Sequence, residues 1–384
     1  MPVEQLATRL EDRFRILTGG SRTALPRQQT LRALIDWSYD LLDENQKTVL
    51  HAVSVFAGGW TLESGEAVCT GERIDSWEVL ELLTALCDKS LVVYEEVAGE
   101  ARYRLLESIR QYARDRLVES GASEVFRDRH LAYYLALVEE AEPHLRGAKQ
   151  RAWLERLERE HDNLRAALEW STKSPEGIES SLRFSSAVWL FWLMRGYLTE
   201  GWELLARVRT VGIAGDAVLR ARVLGGAGAL AYALCDYVSA QALYEESLAL
   251  RRELGDRGGM SLSLGNLGDV AVAEGNYASA RALFEESLAL RRALGDRRGL
   301  FMLLYGFAAL ATALEAPLTA ARLWGAAQEL FEEFGASLPT YKRERYLQPV
   351  TTARSRAGEE AFAAAWAEGQ VLTLEEAFAL AQDV

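Results

Sequence analysis

The chain has 384 residues, of which 49% are hydrophobic and 26% charged, a composition typical of a globular protein with sizeable cores. Its formal net charge of −13 opposes general binding to phosphate backbones, and its three cysteines lie far apart without a CxxC motif. No apolar run is long enough to span a membrane, and the first residues lack a signal-peptide core. We therefore expect a cytoplasmic protein without a disulfide framework or membrane contact.

Residues 1–27 contain one helical pattern, with apolar side chains at helical spacing from Leu6 to Leu17 and a stop at Gly19. One such helix offers no core of its own. We interpret the segment as a remnant helix and linker that belong to the end of a larger unit.

Residues 28–120 predict a compact domain that changes from helical to strand periodicity. Helical patterns begin near Thr30, Gln46, Thr61 and Ser76. Strand-like segments follow at 90–94 and 101–105, with Gly99 in the polar turn between them, and a last helix covers 107–119. Helices followed by a β-hairpin predict a winged-helix domain.

The rest of the chain is predicted to be helical. Residues 121–172 form a connector with one helix from Phe126 to Ala141 and another from Lys149 to Trp170. Helix pairs then occupy residues 173–384, and glycines recur near their joints. The fold class is therefore mainly α, a winged helix followed by stacked helix pairs.

A 40-residue repeat organises these pairs. The segments Tyr237–Asp256 and Tyr277–Asp296 are identical at sixteen of twenty positions. Such a period signals supersecondary units that bury their apolar faces only by stacking, which predicts an α-α superhelix with a concave binding surface. The small residue Gly268 is expected where two helices approach closely. Core positions are predicted at Leu264, Leu267, Leu283, Phe284 and Leu288.

The first helix of each pair is expected to line the concave side, which defines a candidate groove for a partner or ligand. The residues predicted there are Trp189, Trp192, Arg222, Tyr232, Asn266, Asp269 and Tyr305. For the two tryptophans, packing between repeats is an equal alternative. The arginine pairs at 251–252 and 291–292 are expected to cover solvated helix ends.

Two known families are similar to this sequence. The helix pair around residues 261–290 resembles a tetratricopeptide repeat, through Leu264, Leu267, Gly268, Gly275, Tyr277, Ala280 and Phe284. The segments QQTLRALIDWSYDLLDENQKTVLHAVSVFAGGWTLESGEAVC, RYRLLESIRQYARDRL and EHDNLRAALEWS resemble the winged-helix arm and connector of STAND-type signalling ATPases, including AfsR-like and MalT-like regulators of the NB-ARC group. Together these resemblances cover nearly all of the chain.

The resemblance implies an ATPase module, the winged helix and a superhelical sensor, in that order. No GxxxxGK[ST] loop exists in this sequence, so ATP or ADP is expected only on an ATPase module outside it, either lost in cis or supplied in trans. The family's phosphate-contacting histidine is matched by Leu106, which cannot donate a hydrogen bond. Glu107 and Arg110 are the candidate contacts to that module, although Glu107 also suits a first helical turn.

No catalytic or metal site is expected, because the four histidines are scattered and no nucleophile motif occurs. We therefore expect a non-enzymatic regulator that binds a protein or small inducer in its repeat groove. The alternative is a transcription regulator that binds DNA directly through the winged helix. Residues 27–117 carry 10 Lys and Arg against 16 Asp and Glu, a balance of −6 that opposes this alternative.

Overall fold

The structure, a computed structural model, describes residues 31–147, 149–173, 177–333 and 340–384. The helix predicted within residues 1–27 lies outside the described residues. Contacts divide the rest into two units. The first contains the described residues up to Leu137 together with Glu158–Trp170, and the second contains Val138–Leu157 and the described residues from Ser171 onward. The predicted connector, 121–172, thus contributes to both units, and the domain boundaries predicted at 28, 121 and 173 stay predictions.

The first unit consists of short helices around a small sheet. Its elements are α1 (Leu31–Asp40), α2 (Glu44–Val53), β1 (Trp60–Thr61), α3 (Leu62–Cys69), α4 (Ser76–Asp88), β2 (Val93–Val97), β3 (Glu100–Arg104), α5 (Glu107–Glu119), most of α6 (Ser123–Ala141) and α8 (His161–Ser171). Capping boxes start three of these helices, at Asp43, Thr61 and Asp75. These caps explain why the helical patterns in the sequence begin close to the observed helices.

The predicted hairpin is confirmed, and it forms the wing. Strand β2 pairs antiparallel with β3, with Tyr94 opposite Tyr103. The turn between them consists of Ala98 and Gly99, both at positive φ, as a two-residue hairpin with matching twist requires. Strand β1, which the sequence analysis missed, adds to the other side of β3 with Trp60 opposite Tyr103. A two-residue strand is too short to show any periodicity.

A buried polar network closes the first unit. Arg102 Nη1 donates to Glu160 Oε1 over 2.5 Å, and the Tyr134 hydroxyl donates to Glu160 Oε2 over 2.8 Å. Asn163 Nδ2 donates to the same carboxylate over 3.0 Å. Burial, followed by the neighbouring carboxylate, raises the pKa of Tyr134 well above its ordinary value, so the phenol remains a donor.

The network also explains a wrong prediction. The single helix predicted from Lys149 to Trp170 is two helices, α7 (Gln150–Arg159) and α8, with Glu160 between them. The sequence pattern runs through the break without glycine or proline. At the break, the carboxylate of Glu160 turns into the core towards Arg102, which compensates its charge.

The second unit is an array of antiparallel helices. After a 3-10 turn (Glu142–Arg146) and most of α7 come α9 (Gly177–Arg195), α10 (Leu198–Val211), α11 (Ala217–Ala233), α12 (Tyr237–Leu254), α13 (Arg257–Ala273), α14 (Tyr277–Leu294), α15 (Arg297–Ala313), α16 (Pro317–Glu333), α17 (Thr340–Ala357), α18 (Glu359–Gln370) and α19 (Leu374–Gln382). Neighbouring helices of each pair contact each other, and the first helices of successive pairs also touch. The predicted mainly α fold, with a winged helix and stacked helix pairs, is confirmed.

Helix caps recur every 20 residues along the array. The capping side chains, each accepting from the backbone N–H three residues on, are Asp216, Asp236, Asp256, Asn276 and Asp296. Gly255 and Gly295 end α12 and α14 in the left-handed conformation, with φ of 68° and 65°. The repeat in the sequence is therefore a repeat of start and stop signals as well as of apolar positions.

Apolar packing inside the pairs follows the predicted pattern. Gly268 lies against the ring of Phe284, so its missing side chain makes room for that ring. Phe284, Leu264 and Leu267 are buried as predicted, whereas Leu283 is only half-buried. The prediction of a buried Leu283 was wrong because its neighbour Phe284 occupies the centre of the helix contact. Among the described residues, none of the helices combines the length and apolar character that crossing a membrane requires.

Candidate functional site

The first helices of the pairs form one continuous layer, in which α9, α11, α13 and α15 contact one another in order. Each of the last three presents half-buried or exposed positions at the 40-residue period. One row consists of Arg222, Leu262 and Met302, and the next of Ala229, Asp269 and Ala309. We call this surface the inner stripe. It is chemically uneven, because only its middle helix carries a carboxylate and an amide, at Asp269 and Asn266.

Five of the seven predicted groove residues lie at partly accessible positions: Trp189, Arg222, Tyr232, Asn266 and Asp269. Asn266 and Asp269 lie three residues apart on α13 and therefore share one face of that helix. Gly226 and Gly306 occupy the positions of Asn266 in the neighbouring pairs. Both glycines are buried: Gly226 lies against the ring of Trp189, and Gly306 lies against the ring of Phe284 and near the Asp269 carboxylate.

Two groove predictions are corrected by the structure. Tyr305 is only 8% exposed, because its ring stacks on Tyr346 of α17 at a centroid distance of 5.2 Å. Trp192 is 1% exposed and packs against Gly201 of α10. Trp192 therefore packs between helices, the alternative given for the two tryptophans, and Tyr305 belongs to the core beside α17.

The accessible groove candidates near the start of the array are held by the turn that precedes it. Arg222 forms an ion pair with Glu142. The guanidinium of Arg146 lies 5.7 Å from the ring centroid of Trp189, within the range of a cation–π contact. Tyr232 packs its ring 5.3 Å from that of Tyr237. The convergence of these residues with Asn266 and Asp269 stays a prediction.

Helix α17 crosses the array. It contacts α15 and also α9, the fourth and the first of the helices in the inner layer. The guanidinium of Arg356 near its end donates to the Thr312 carbonyl of α15 over 3.2 Å. The inner stripe is therefore bordered by a helix of the same chain, which the 40-residue period does not predict.

The prediction for the repeat arginines was wrong in half of its members. Arg252 is exposed, but Arg251 and Arg291 are buried. Arg251 Nη1 donates to the Gly259 carbonyl over 2.5 Å and to Ser263 Oγ over 3.2 Å. Burial lowers the pKa of both buried arginines. Arg291 has different partners, since it donates to Ser287 Oγ and Asp296 Oδ2, each over 3.1 Å. A buried serine four residues before each arginine, Ser247 or Ser287, is the sequence signal that could have identified these joints.

In the winged helix, the two residues predicted to meet an ATPase module bind each other. Arg110 donates to Glu107 Oε2 over 2.6 Å and to the Ala57 carbonyl over 3.4 Å. Leu106, directly before α5, is 46% exposed. The Glu107–Arg110 ion pair thus lies in the first turn of α5, and its contact with an ATPase module stays a prediction.

The outer face of α4 lies where a third helix would enter a DNA groove. It exposes Trp77 at 73%, with Glu81 and Asp88 on the same surface and no basic residue in the helix. Such a face repels phosphate. Within the described ranges, no group of three or more His, Cys, Asp or Glu side chains is arranged to hold a metal ion.

Comparison with protein families agrees with this architecture. Residues 42–118 match the winged helix-turn-helix domain family, and residues 219–293 match the tetratricopeptide repeat family. The chain carries a winged helix-turn-helix domain and tetratricopeptide repeats. The resemblance predicted from the sequence, these two parts in this order, is confirmed.

Several curated proteins are similar to this chain. "Putative HTH-type transcriptional regulator Rv0890c" of Mycobacterium tuberculosis is 38% identical over 268 residues, which cover 68% of this chain and 30% of that protein. "Uncharacterized protein Rv0894" of the same species is 42% identical over 130 residues, 34% of this chain and 33% of that protein. The chain therefore spans about a third of the length of the curated relatives that it matches.

Among solved structures, the chain is similar to a Signal Transduction ATPase with Numerous Domains (STAND) protein with a tetratricopeptide repeat sensor from Pyrococcus horikoshii. The TM-score is 0.37 at 15% identity, over 94% of this chain and 59% of that one.

Proposed function

We propose that this chain is the regulatory sensor part of a STAND-type signalling protein, whose repeats bind a protein or small inducer at the inner stripe. The observation that carries the proposal is that Asn266 and Asp269 lie three residues apart on the accessible face of α13. An amide and a carboxylate beside apolar and small side chains such as Leu262 and Ala229 provide polar recognition within a partly apolar contact area.

The arrangement of the two matched domains supports the regulatory part of the proposal. A winged helix followed by a repeat array is an architecture for docking and sensing, and Rv0890c, one of the curated relatives, is named a putative HTH-type transcriptional regulator. On this proposal the chain performs no catalysis and holds no cofactor. ATP or ADP binds only to an ATPase module outside it, which Glu107 and Arg110 contact. A micromolar ADP site found in this chain by calorimetric titration would contradict the proposal that nucleotide binds only to the ATPase module.

Direct DNA reading by the winged helix is the second candidate, and it is supported by the family match of residues 42–118. The acidic and apolar face of α4 argues against it. The proposal therefore treats the winged helix as a spacer between the ATPase module and the sensor. A sequence-specific footprint on duplex DNA at physiological salt would favour the second candidate instead.

Site-specific photo-crosslinking tests the inner stripe. A photoreactive phenylalanine analogue replaces Asn266 in one sample and Glu285, an exposed residue on the second helix of the same pair, in the other. After irradiation in an extract of the source cells, the probe at 266 should give a defined adduct that excess unlabelled chain removes. Unlabelled Asp269→Ala chain should compete about tenfold less well or worse, the scale of one lost hydrogen bond to a charged group.

The probe at 285 is the matched control, because it shares the repeat but lies away from α13. Equal adducts from both positions, or equal competition by Asp269→Ala and the unaltered chain, would show that the partner does not bind at the inner stripe. Circular dichroism of each variant checks that the helices are intact.

A further inference from the structure

A cavity of about 280 Å³ lies at the joint between the first and second helix pairs, between α10, α11 and α12. Its polar lining consists of Arg209, Thr210, Arg220 and Glu246, and its apolar lining includes Leu182 and Val223. The volume is close to that of the smaller ligand pockets of proteins. A lining that combines charged and apolar groups suits an amphipathic molecule.

The later joints of the array explain why this cavity exists. In the 40-residue register, Arg251 and Arg291 correspond to Val211 at the first joint, and Ser263 corresponds to Val223. At the second joint the guanidinium of Arg251 extends into the contact and donates to Ser263. At the first joint the short side chain of Val211 replaces the arginine, and Val223 faces the cavity.

A change in the backbone accompanies this substitution. Helix α10 ends at Val211 and continues as a 3-10 turn from Gly212 to Ala214, whereas α12 stays helical to Leu254. The position that corresponds to Leu254 is Ala214, so α10 is three residues shorter at its end. The first joint is therefore built differently from the next two, and the difference leaves space.

The charges around the cavity favour an anion. The Nε atom of Arg209 is buried and has no hydrogen-bond partner among the described residues. Burial lowers the pKa of Arg209, because its charged form is partly removed from water. Its guanidinium lies 5.0 Å from the ring centroid of Trp202. Arg220 faces Glu246 at 3.9 Å, a long ion pair that leaves donors available.

We propose that this cavity binds a small organic anion, with its carboxylate or phosphate group at Arg209 and Arg220 and its apolar body against Leu182 and Val223. An anion in the cavity compensates two arginines that share one carboxylate. Planar guanidinium groups recognise both kinds of anionic group, so the shared chemistry defines the ligand class.

This site is separate from the inner stripe. On α11, Arg220 and Val223 line the cavity, whereas Arg222 and Ala229 belong to the inner stripe. At 100° per residue, the two sets point to different sides of the helix. Anion binding in the cavity therefore goes beyond the proposed function, and it can be disproved without affecting the proposal for the inner stripe.

Nuclear magnetic resonance titration of the full chain tests the site with three probes of one size: benzoate, phenyl phosphate and the neutral benzamide. At least one anion should bind about tenfold or more tightly than benzamide, the scale of a charge-assisted pair. The order of the two anions then identifies the preferred group.

Four variants locate the binding. Arg209→Gln should weaken the better anion about tenfold, and Glu246→Gln should tighten it about two- to fivefold, because a competing carboxylate is removed. Val211→Arg, which restores the side chain of the later joints, should abolish binding by occupying the cavity. Arg207→Gln is the matched control, since Arg207 is exposed on the same helix and loses the same charge.

The opposite signs expected for Arg209→Gln and Glu246→Gln keep the test decisive even if one variant folds poorly. Benzamide binding as tightly as both anions would overturn the proposal. An equal loss of affinity in Arg207→Gln and Arg209→Gln would also overturn it, because general surface charge would then explain the binding.

Discussion

The two units of this protein bury arginine in different ways. In the first unit, Arg102 meets the carboxylate of Glu160, 58 residues further along the chain, at 2.5 Å. In the second, Arg251 donates to neutral groups only 8 and 12 residues away, the Gly259 carbonyl and the Ser263 hydroxyl. The first arrangement compensates charge across the fold. In the second unit the partners of Arg251 are neutral, and Arg291 pairs with Asp296 only five residues further along, at 3.1 Å.

This difference has a consequence for stability. Removing the partner of Arg102 leaves an uncompensated charge in a core, which is among the most costly changes that a protein can undergo. Removing Arg251 itself leaves only neutral acceptors without a donor, which costs less. The buried network of the first unit should therefore be more sensitive to substitution than the buried arginines of the repeats.

The largest effect is expected for Glu160→Ala. This change leaves Arg102 without its carboxylate and removes the acceptor of Tyr134 and Asn163, so the first unit should lose about 4 kcal/mol of unfolding free energy. Hydrogen exchange of the β3 amides in increasing urea measures that loss in the full chain.

Glu95→Gln is the matched control, because Glu95 pairs with Arg104 on the same sheet at 3.1 Å while both side chains are more than two-fifths exposed. It should cost less than about 1 kcal/mol. Equal losses in the two variants would mean that water reaches the Arg102 network and would cancel the contrast between the units.

The second-largest effect is expected in the pH dependence of the unfolding free energy of the first unit. His130 is buried against Phe56 and Asn163, and burial lowers its pKa to about 4. An unfolded histidine titrates near pH 6.5, so between pH 6.5 and 4 the unfolded chain binds a proton that the folded chain does not. Stability is therefore complete above pH 6.5 and falls by up to about 3 kcal/mol as the pH falls to 4.

His130→Gln should remove most of this pH dependence, and the difference between the two urea curves at pH 7 and pH 5 measures it. Burial also lowers the pKa of His51 in the same unit, which adds a smaller slope of the same sign that the variant retains. If the unaltered chain and His130→Gln lose the same stability on acidification, the buried imidazole is not the cause.

The same comparison shows which features a sequence can reveal. The caps at Asp236 and Asp256 and the packing of Phe284 depend on neighbours within 20 residues, and the pattern occurs twice, so the repeats were predictable. The pairing of Arg102 with Glu160 depends on tertiary contact alone, and it breaks a helix that the local pattern makes continuous.

The errors in the candidate site have related causes. Tyr305 was predicted in the groove because the first helix of each pair is expected to line the concave side, but α17, which lies outside the period, covers it with Tyr346. Arg251 was assigned to solvent because arginines are usually exposed. Its serine neighbours became informative only once the structure showed which helices meet.

The smallest effect is expected for Arg251→Met, which keeps an unbranched apolar side chain in place of the arginine stem and removes the guanidinium. Gly259 and Ser263 lose a donor, while a desolvated guanidinium is replaced by an apolar group that packs in the same joint. The two contributions oppose each other, so the repeat unit should lose only about 2 kcal/mol of unfolding free energy, measured by hydrogen exchange of the α13 amides in urea.

Arg252→Met, at the exposed neighbour, is the control and should change the unfolding free energy by less than about 0.5 kcal/mol. A loss for Arg251→Met as large as that for Glu160→Ala would show that the repeats, too, depend on a buried charge with a strong acceptor, and the two units would then follow one rule.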